Sequence, residues 1–346
     1  MKKVFLFILA AATLVIAGCN KENGNQDVNT AELTALVAQC QTVLAAATTA
    51  DYPQEAITEF QTVVNAAATA LAGTPTQAQV TNLVAQLKAA LATFEGKAYG
   101  AIPAAALTFA LSFDEGAGSS LTTSGSNAWT AKLVAGPSQI FETTALPTFV
   151  DGKVGKAMHF ANGSHLEIAD YSAPAVEGNA LSIAVWAKPD ETFANNYIIS
   201  YNYWNTWKLQ VQDAGKPFAT VNVNGCIDMD NESDNSVPAN SWTHIVFTYN
   251  STGNACFYVN GELTKEWTKD TKGNLEGALK HWVPESGNAL PICIGACTTI
   301  EEAMTWSWFN TNPADWGHFK GTLDELRVYN VALTAGQVSK LYRDQK

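Results

Sequence analysis

The stretch "SVPANSWTHIVFTYNSTGNACFYVNGELTKEW", residues 236–267, holds two runs rich in β-branched and aromatic residues, WTHIVFTY (242–249) and ACFYVN (255–260). Such runs read as strands. Asn260 followed by Gly261 tolerates positive φ at both positions, so the second run turns back through a tight hairpin into ELTKEW. Working outward, the same pattern recurs in LSIAVWA (181–187), NYIISY (196–201) and WKLQVQ (207–212). Nearer the start, Leu107, Phe109, Leu111 and Phe113 alternate with Thr108, Ala110 and Ser112. Many short strands with no intervening helices predict an all-β jelly-roll sandwich over 107–346, long for one sandwich but within the range of single domains. Trp186 and Trp242 are assigned to its core.

Before residue 97 the period changes. Leu33, Leu36, Val37, Cys40, Leu44 and Ala47 repeat at threes and fours, as do Ile57, Phe60, Val64, Ala67 and Leu71, and again Val80, Leu83, Leu87, Leu91 and Phe94. Asn29 with Glu32, Pro53, and Thr74 with Gln77 mark helix starts; Gly73 and Gly96 follow helix ends. The spacing predicts a small three-helix bundle over 30–96, joined by a Gly, Ala and Pro linker (97–106) to the sandwich. DYPQEAITEFQTVVNAAATAL and TPTQAQVTNLVAQLKAALATFEG resemble a FIVAR-type bundle, which implies a spacer. Cys40 lies on the apolar face, where a small core residue is the expected role.

The chain opens MKKVFLFILAAATLVIAGC: two lysines, an apolar run too short to span a bilayer, then small residues up to Cys19. This is a secretion signal. Ile16, Ala17, Gly18 and Cys19 resemble the lipobox of bacterial lipoproteins, which implies cleavage after residue 18, acylation of Cys19, and a lipid-anchored protein at the outer membrane and cell surface of a Gram-negative bacterium. Residues 19–29 are then a polar tether. Loss of Lys2 and Lys3 takes the formal charge from −12 to −14. No basic patch survives, which argues against nucleic acid and against anionic lipid as main partners, leaving the lipid anchor as the contact with membrane. Cys226, Cys256, Cys293 and Cys297 allow three disulfide pairings that spacing does not choose between.

Two loop-like segments carry unusual numbers of aromatics. MTWSWFNTNPADWGHF (304–319) places Trp306, Trp308 and Trp316 beside Asn310, Asn312 and Asp315, and YNYWNTW (201–207) places Tyr201, Tyr203 and Trp204 beside Asn202 and Asn205. A sugar ring offers a flat C–H face and a rim of hydroxyls, so stacked aromatics ringed by amides suit it, and indoles exposed on loops are costly without a ligand. The candidate ligand residues are therefore Tyr201, Tyr203, Trp204, Trp306, Trp308 and Trp316. The plainer alternative is that these rings pin long loops to the sandwich.

LSFDEGAGSSLTTSG, GKVGKAMHFANGSHLEIAD, LSIAVWAKPDE, the opening stretch, PICIGA and FKGTLDELRVYNVALTAGQVSKLY resemble, in order, the signature blocks of laminin-G-like, concanavalin-A-like jelly rolls over roughly residues 105–344. The resemblance implies Trp186 between the sheets, a short last helix opened by Thr334 and Gln337, and a concave sheet with rim loops as the binding surface. It also implies a poly- or oligosaccharide ligand for many members, a protein partner for some, such as a surface complex, and glycoside hydrolysis for a minority. The Glu-x-Asp-x-x-Glu strand of laminarinase-type relatives is missing; Asp324 and Glu325, being adjacent, are expected on opposite faces of a strand. The expectation is a non-catalytic carbohydrate-binding lipoprotein, with a protein-binding adhesion module as the alternative and a glycoside hydrolase below that. No cofactor is required. Relatives hold a structural calcium, for which Asp114 and Asp324 are the candidate ligands, although a hydrogen-bonded carboxylate is the simpler role for each. The acidic tract around Asp228, Asp230 and Glu232 lacks the turn glycine and closing glutamate of a calcium loop.

Overall fold

The computed structural model describes residues 28–203, 205–230, 234–280, 289–307, 309 and 312–346; Cys19, Trp204, Glu232, Trp308 and Asn310 lie outside the described residues. The chain divides into two compact units, a helical one holding residues up to 47 together with 54–96, and a β unit holding 48–53 with everything from 97 onward. No described helix is long and apolar enough to cross a membrane.

The helical unit consists of α1 (Ala31–Ala46), α2 (Gln54–Ala72) and α3 (Gln77–Glu95), each packed on the other two. Leu33, Val37 and Cys40 of α1, Phe60, Val64 and Ala67 of α2, and Val80, Leu87, Leu91 and Phe94 of α3 are buried, as the periodicity requires. Phe60 and Phe94 stack at 4.6 Å between ring centroids. The capping box of α3 is formed by Thr76 and Gln79 rather than by Thr74 and Gln77. Thr76 has the extended backbone that an N-cap needs, so the helix starts two residues later.

The β unit is a sandwich of two antiparallel eight-stranded sheets, with the short helix α4 (Ala173–Val176) between its sixth and seventh strands. With strands numbered in chain order, the first sheet runs β14 (Glu262–Thr268), β13 (Asn254–Val259), β12 (Thr243–Asn250), β7 (Ala180–Pro189), β16 (Gly321–Tyr329), β5 (Lys156–Phe160), β4 (Thr148–Asp151), with β1 (Leu107–Leu111) on the rest of β16's edge. The second runs β11 (Cys226–Asp230), β10 (Pro217–Asn222), β9 (Trp207–Val211), β8 (Asn196–Tyr201), β15 (Ile292–Ile294), β6 (His165–Ile168), β3 (Thr130–Val134), β2 (Ser120–Thr122). The opening stretch forms β12, β13 and β14, with Asn260 at φ 52° and Gly261 at φ 82° making the hairpin.

Between the sheets lie Ile183 and Val185 of β7, Ile245 and Phe247 of β12, Leu323 and Val328 of β16, and Trp207, Leu209 and Val211 of β9. Trp186 is not among them. It sits one residue out of phase, on the outer face of the first sheet, stacked on Tyr342 of α6 (Ala335–Asp344) and donating from Nε1 to Gln345 at 3.1 Å. Both faces of β7 are covered, so alternation does not reveal which one meets the other sheet. Trp242 is half-buried at a bend before β12. The α6 capping box of Thr334 and Gln337 forms as expected.

In β16 the register shifts between Asp324 and Arg327, and Glu325 has φ 51°. Leu323 and Leu326 both enter the inter-sheet core, so the bulge turns Asp324 and Glu325 toward the same outer face, contrary to the expectation for neighbours on a regular strand. Asp324 pairs across from Trp186, and Glu325 accepts from Gln345 and pairs with Arg327.

Candidate functional site

Along each strand of the second sheet, alternate residues leave the core and form its outer face. The register aligns one row across the whole sheet: Asp228, Thr220, Lys208, Ser200, Cys293, Glu167, Lys132 and Ser120, each directly opposite the next. Tyr197 and His165 lie on the same face. The described residues between Cys297 and His318 pack over part of this face, together with Ile140 and Phe141.

That segment answers why a loop carries tryptophans. The Cys297 amide donates to the Gly317 carbonyl at 2.8 Å, closing the loop. Thr299 caps the short helix α5 (Ile300–Ala303) by accepting from the Glu302 amide. Trp316 is 1 % exposed, donates to the Thr298 carbonyl at 3.2 Å, stacks on His318 and meets the His165 ring edge-on. With Tyr197, Cys293, Cys297 and Phe309 it makes a second small core on the outside of the sheet. Gly317 and Gly163 permit the approach: a Cβ on Gly317 would stand 2.3 Å from the Tyr197 ring, and one on Gly163 would stand 2.7 Å from the Trp316 ring.

The site residues read from sequence therefore separate. Trp316 is buried and offers no open face; it pins the loop. Tyr201 is also buried, with its ring between the sheets and its hydroxyl donating to Glu177 at 2.9 Å, because it falls on the inward phase of β8. Tyr203 and Trp306 come together, half-buried, with ring centroids 5.0 Å apart; Tyr203 stacks on Tyr197, and Trp306 donates to Glu302 at 3.2 Å. Burial pushes the Tyr203 hydroxyl up to about 12. Trp204 and Trp308 fall outside the described residues.

What the loop leaves uncovered is a cavity of about 350 Å³ lined by Lys132, Val134, Ala135, Pro137, His165, Glu167, Ile300 and Glu301. One wall is the outer face of β3 and β6, and the other is the first turn of α5. His165 is buried, held by the Gly163 carbonyl at 2.9 Å and by Glu167 at 3.2 Å. Glu167 stands opposite Lys132 across the strands and forms no salt bridge with it. The cavity thus has an aliphatic wall, two carboxylates and an ammonium group, with hydrogen-bonding capacity facing inward. None of these residues was chosen from sequence. The alternation His165, Leu166, Glu167, Ile168 carried the relevant signal, but only register across β3, β6 and β15 shows what stands opposite.

On the far side of the loop the row continues through Lys208, which is buried. Its ammonium donates to the Tyr197 hydroxyl at 3.0 Å and to Gln210 at 2.6 Å and lies 4.6 Å from the centres of the Tyr197 and Phe218 rings. Burial lowers its pKa to about 8, partly opposed by Asp228.

The calcium candidates, Asp114 and Asp324, meet at one loop. Oδ2 of Asp324 accepts from the Lys153 and Val154 amides at 2.8 and 2.9 Å, and Oδ1 of Asp114 accepts from the Lys156 amide at 2.8 Å. Oδ1 of Asp324 is buried with no hydrogen-bond partner, and no group of three or more potential metal-binding side chains occurs among the described residues. These carboxylates hold loop 152–156 through its amides. Described Cys40, Cys226, Cys256, Cys293 and Cys297 are thiols in this structure.

The model of the concanavalin A-like lectin/glucanases superfamily matches residues 160–283. The β unit has the concanavalin A-like jelly-roll architecture. No curated protein sequence matches the chain. Among solved structures, domain 4 of AbnA, an extracellular arabinanase of Geobacillus stearothermophilus solved with arabinotriose, is 20 % identical with a TM-score of 0.42, over 68 % of this chain and 98 % of that one. The binding domain of Paraclostridial Mosquitocidal Protein 1 is 16 % identical with a TM-score of 0.44, over 67 % of this chain and 53 % of that one. A carbohydrate-binding protein assignment from Bacteroides ovatus accompanies a third structure, 21 % identical with a TM-score of 0.39, over 55 % of this chain and 47 % of that one. The chain thus spans about half the length of the latter two.

Proposed function

We propose that the protein is a non-catalytic binding module whose β unit holds a saccharide in the cavity between β3, β6 and α5. The observation that supports this most is the cavity's composition: Ile300, Pro137 and Val134 give an apolar wall for the C–H face of a ring, while Lys132, Glu167 and Glu301 can bond its hydroxyls. The half-buried pair of Tyr203, from the connection between β8 and β9, and Trp306, from the 297–318 segment, adds aromatic surface on the same sheet face. In this reading the tryptophan-rich segment builds the site's wall, and only part of it touches ligand. Glu167 and Glu301 serve as hydrogen-bond acceptors without turnover. The test is a glycan array probed with the protein and with Ala135→Trp, a change at an exposed cavity residue that fills the space. Array binding by the first and not by the second is the expected result; equal binding by both, or release of reducing sugar, contradicts it.

The same reading takes Cys19 as the lipid attachment point and the helical unit as a spacer that presents the β unit at the cell surface. Labelled palmitate incorporated by the wild-type chain and not by Cys19→Ala is the expected outcome; equal labelling contradicts it.

A further inference from the structure

The geometry points to a charge rule at this cavity: with Glu167 and Glu301 facing a single ammonium, Lys132, it accepts neutral or amine-bearing saccharides and rejects uronate- or sulfate-bearing ones. This rests on the saccharide reading above and adds the ligand's chemical class. Lys132 and Glu167 stand directly opposite on β3 and β6, so their charges offset one another to an approaching ligand. Glu301 is exposed on the first turn of α5 and has no ion-pair partner among the described residues, which leaves a net negative charge at the mouth. The long-range field has the same sign, since the chain carries −12. An anionic ring would bring its charge to a cavity lined by two carboxylates and one ammonium, with the His165 ring already bonded to Glu167. A hydroxyl or ammonium donor meets two ready acceptors. The apolar residues Val134, Pro137 and Ile300 do not discriminate by charge, so selection falls to these three side chains.

The experiment is a glycan array carrying neutral, amine-bearing, uronate-bearing and sulfated oligosaccharides, read at low and at high salt with wild type, Glu301→Gln and Glu301→Lys. Glu301 is exposed, so both variants keep the fold, which far-ultraviolet circular dichroism checks. Wild type should bind neutral or amine-bearing probes at least about five-fold more strongly than acidic ones at low salt, with the gap narrowing as salt screens it. Glu301→Lys should close or invert that gap, and Glu301→Gln should fall between. Acidic probes bound as well as neutral ones by wild type, or an unchanged ranking in Glu301→Lys, would overturn the charge rule while leaving saccharide binding intact. No binding to any class would overturn the saccharide reading itself.

Discussion

At the scale of single residues, what matters is which side of a sheet a side chain meets. Trp316 and Trp306 share a loop, yet one is sealed into the outer core and the other is half-buried. Trp316→Ala should therefore cost about 3–5 kcal/mol, the range for emptying a buried aromatic site, whereas Trp306→Ala should cost much less. All ten tryptophans lie beyond residue 97, so intrinsic fluorescence during denaturation reports on the β unit alone. Asp324 carries a second prediction. Burial, reinforced by Glu325 and opposed by the amides of Val154 and Lys153, raises its carboxyl to about 7 from the ordinary 3.8. Between those values the folded protein keeps a proton the unfolded chain has lost, so this group's contribution is complete below about pH 4 and disappears as pH rises through 7. Its slope is at most about 1.4 kcal/mol per pH unit. Asp324→Asn should remove that slope from the fluorescence-detected stability; an unchanged slope would show that another group sets it. Sequence showed Asp324 as chemically notable but not why, because the loop amides at 153 and 154 that meet it are remote along the chain.

At the scale of elements, the helices and the longer strands were legible because period and turn chemistry are local: the three apolar stripes, the Asn260–Gly261 hairpin and the α6 capping box all appear where residue order places them. Three readings failed for a shared reason. The phase of β7 was ambiguous since helix α6 covers its second face, the bulge at Glu325 interrupts the alternation, and Tyr201 lies on the inward phase of β8. The 297–318 segment was legible as unusual but not as a cover, since aromatics with turn residues describe an open platform and a pinned loop equally well. Gly317→Ala tests the cover directly. Its methyl would force Tyr197 aside, and the expected loss is about 1–3 kcal/mol of stability together with weaker ligand binding through displacement of α5. Unchanged stability by chemical denaturation would mean that the loop and Tyr197 are not packed as described.

At the scale of the whole molecule, a helical unit precedes a sandwich, and the β unit covers one outer sheet face with α6 and leaves the other partly open. The acidic balance and the absence of basic clusters shape what can approach that open face. The order of the two units was readable from the switch between helical and strand periods; the cavity was not, because its walls come from β3, β6 and a loop more than 130 residues later in the chain. The central claim is that this cavity holds the saccharide, and isothermal titration calorimetry tests it most directly, using an array-positive oligosaccharide against wild type and Ala135→Trp of matched stability. Saturable heat with wild type and none with Ala135→Trp is the result predicted here; the same affinity for both proteins would contradict it.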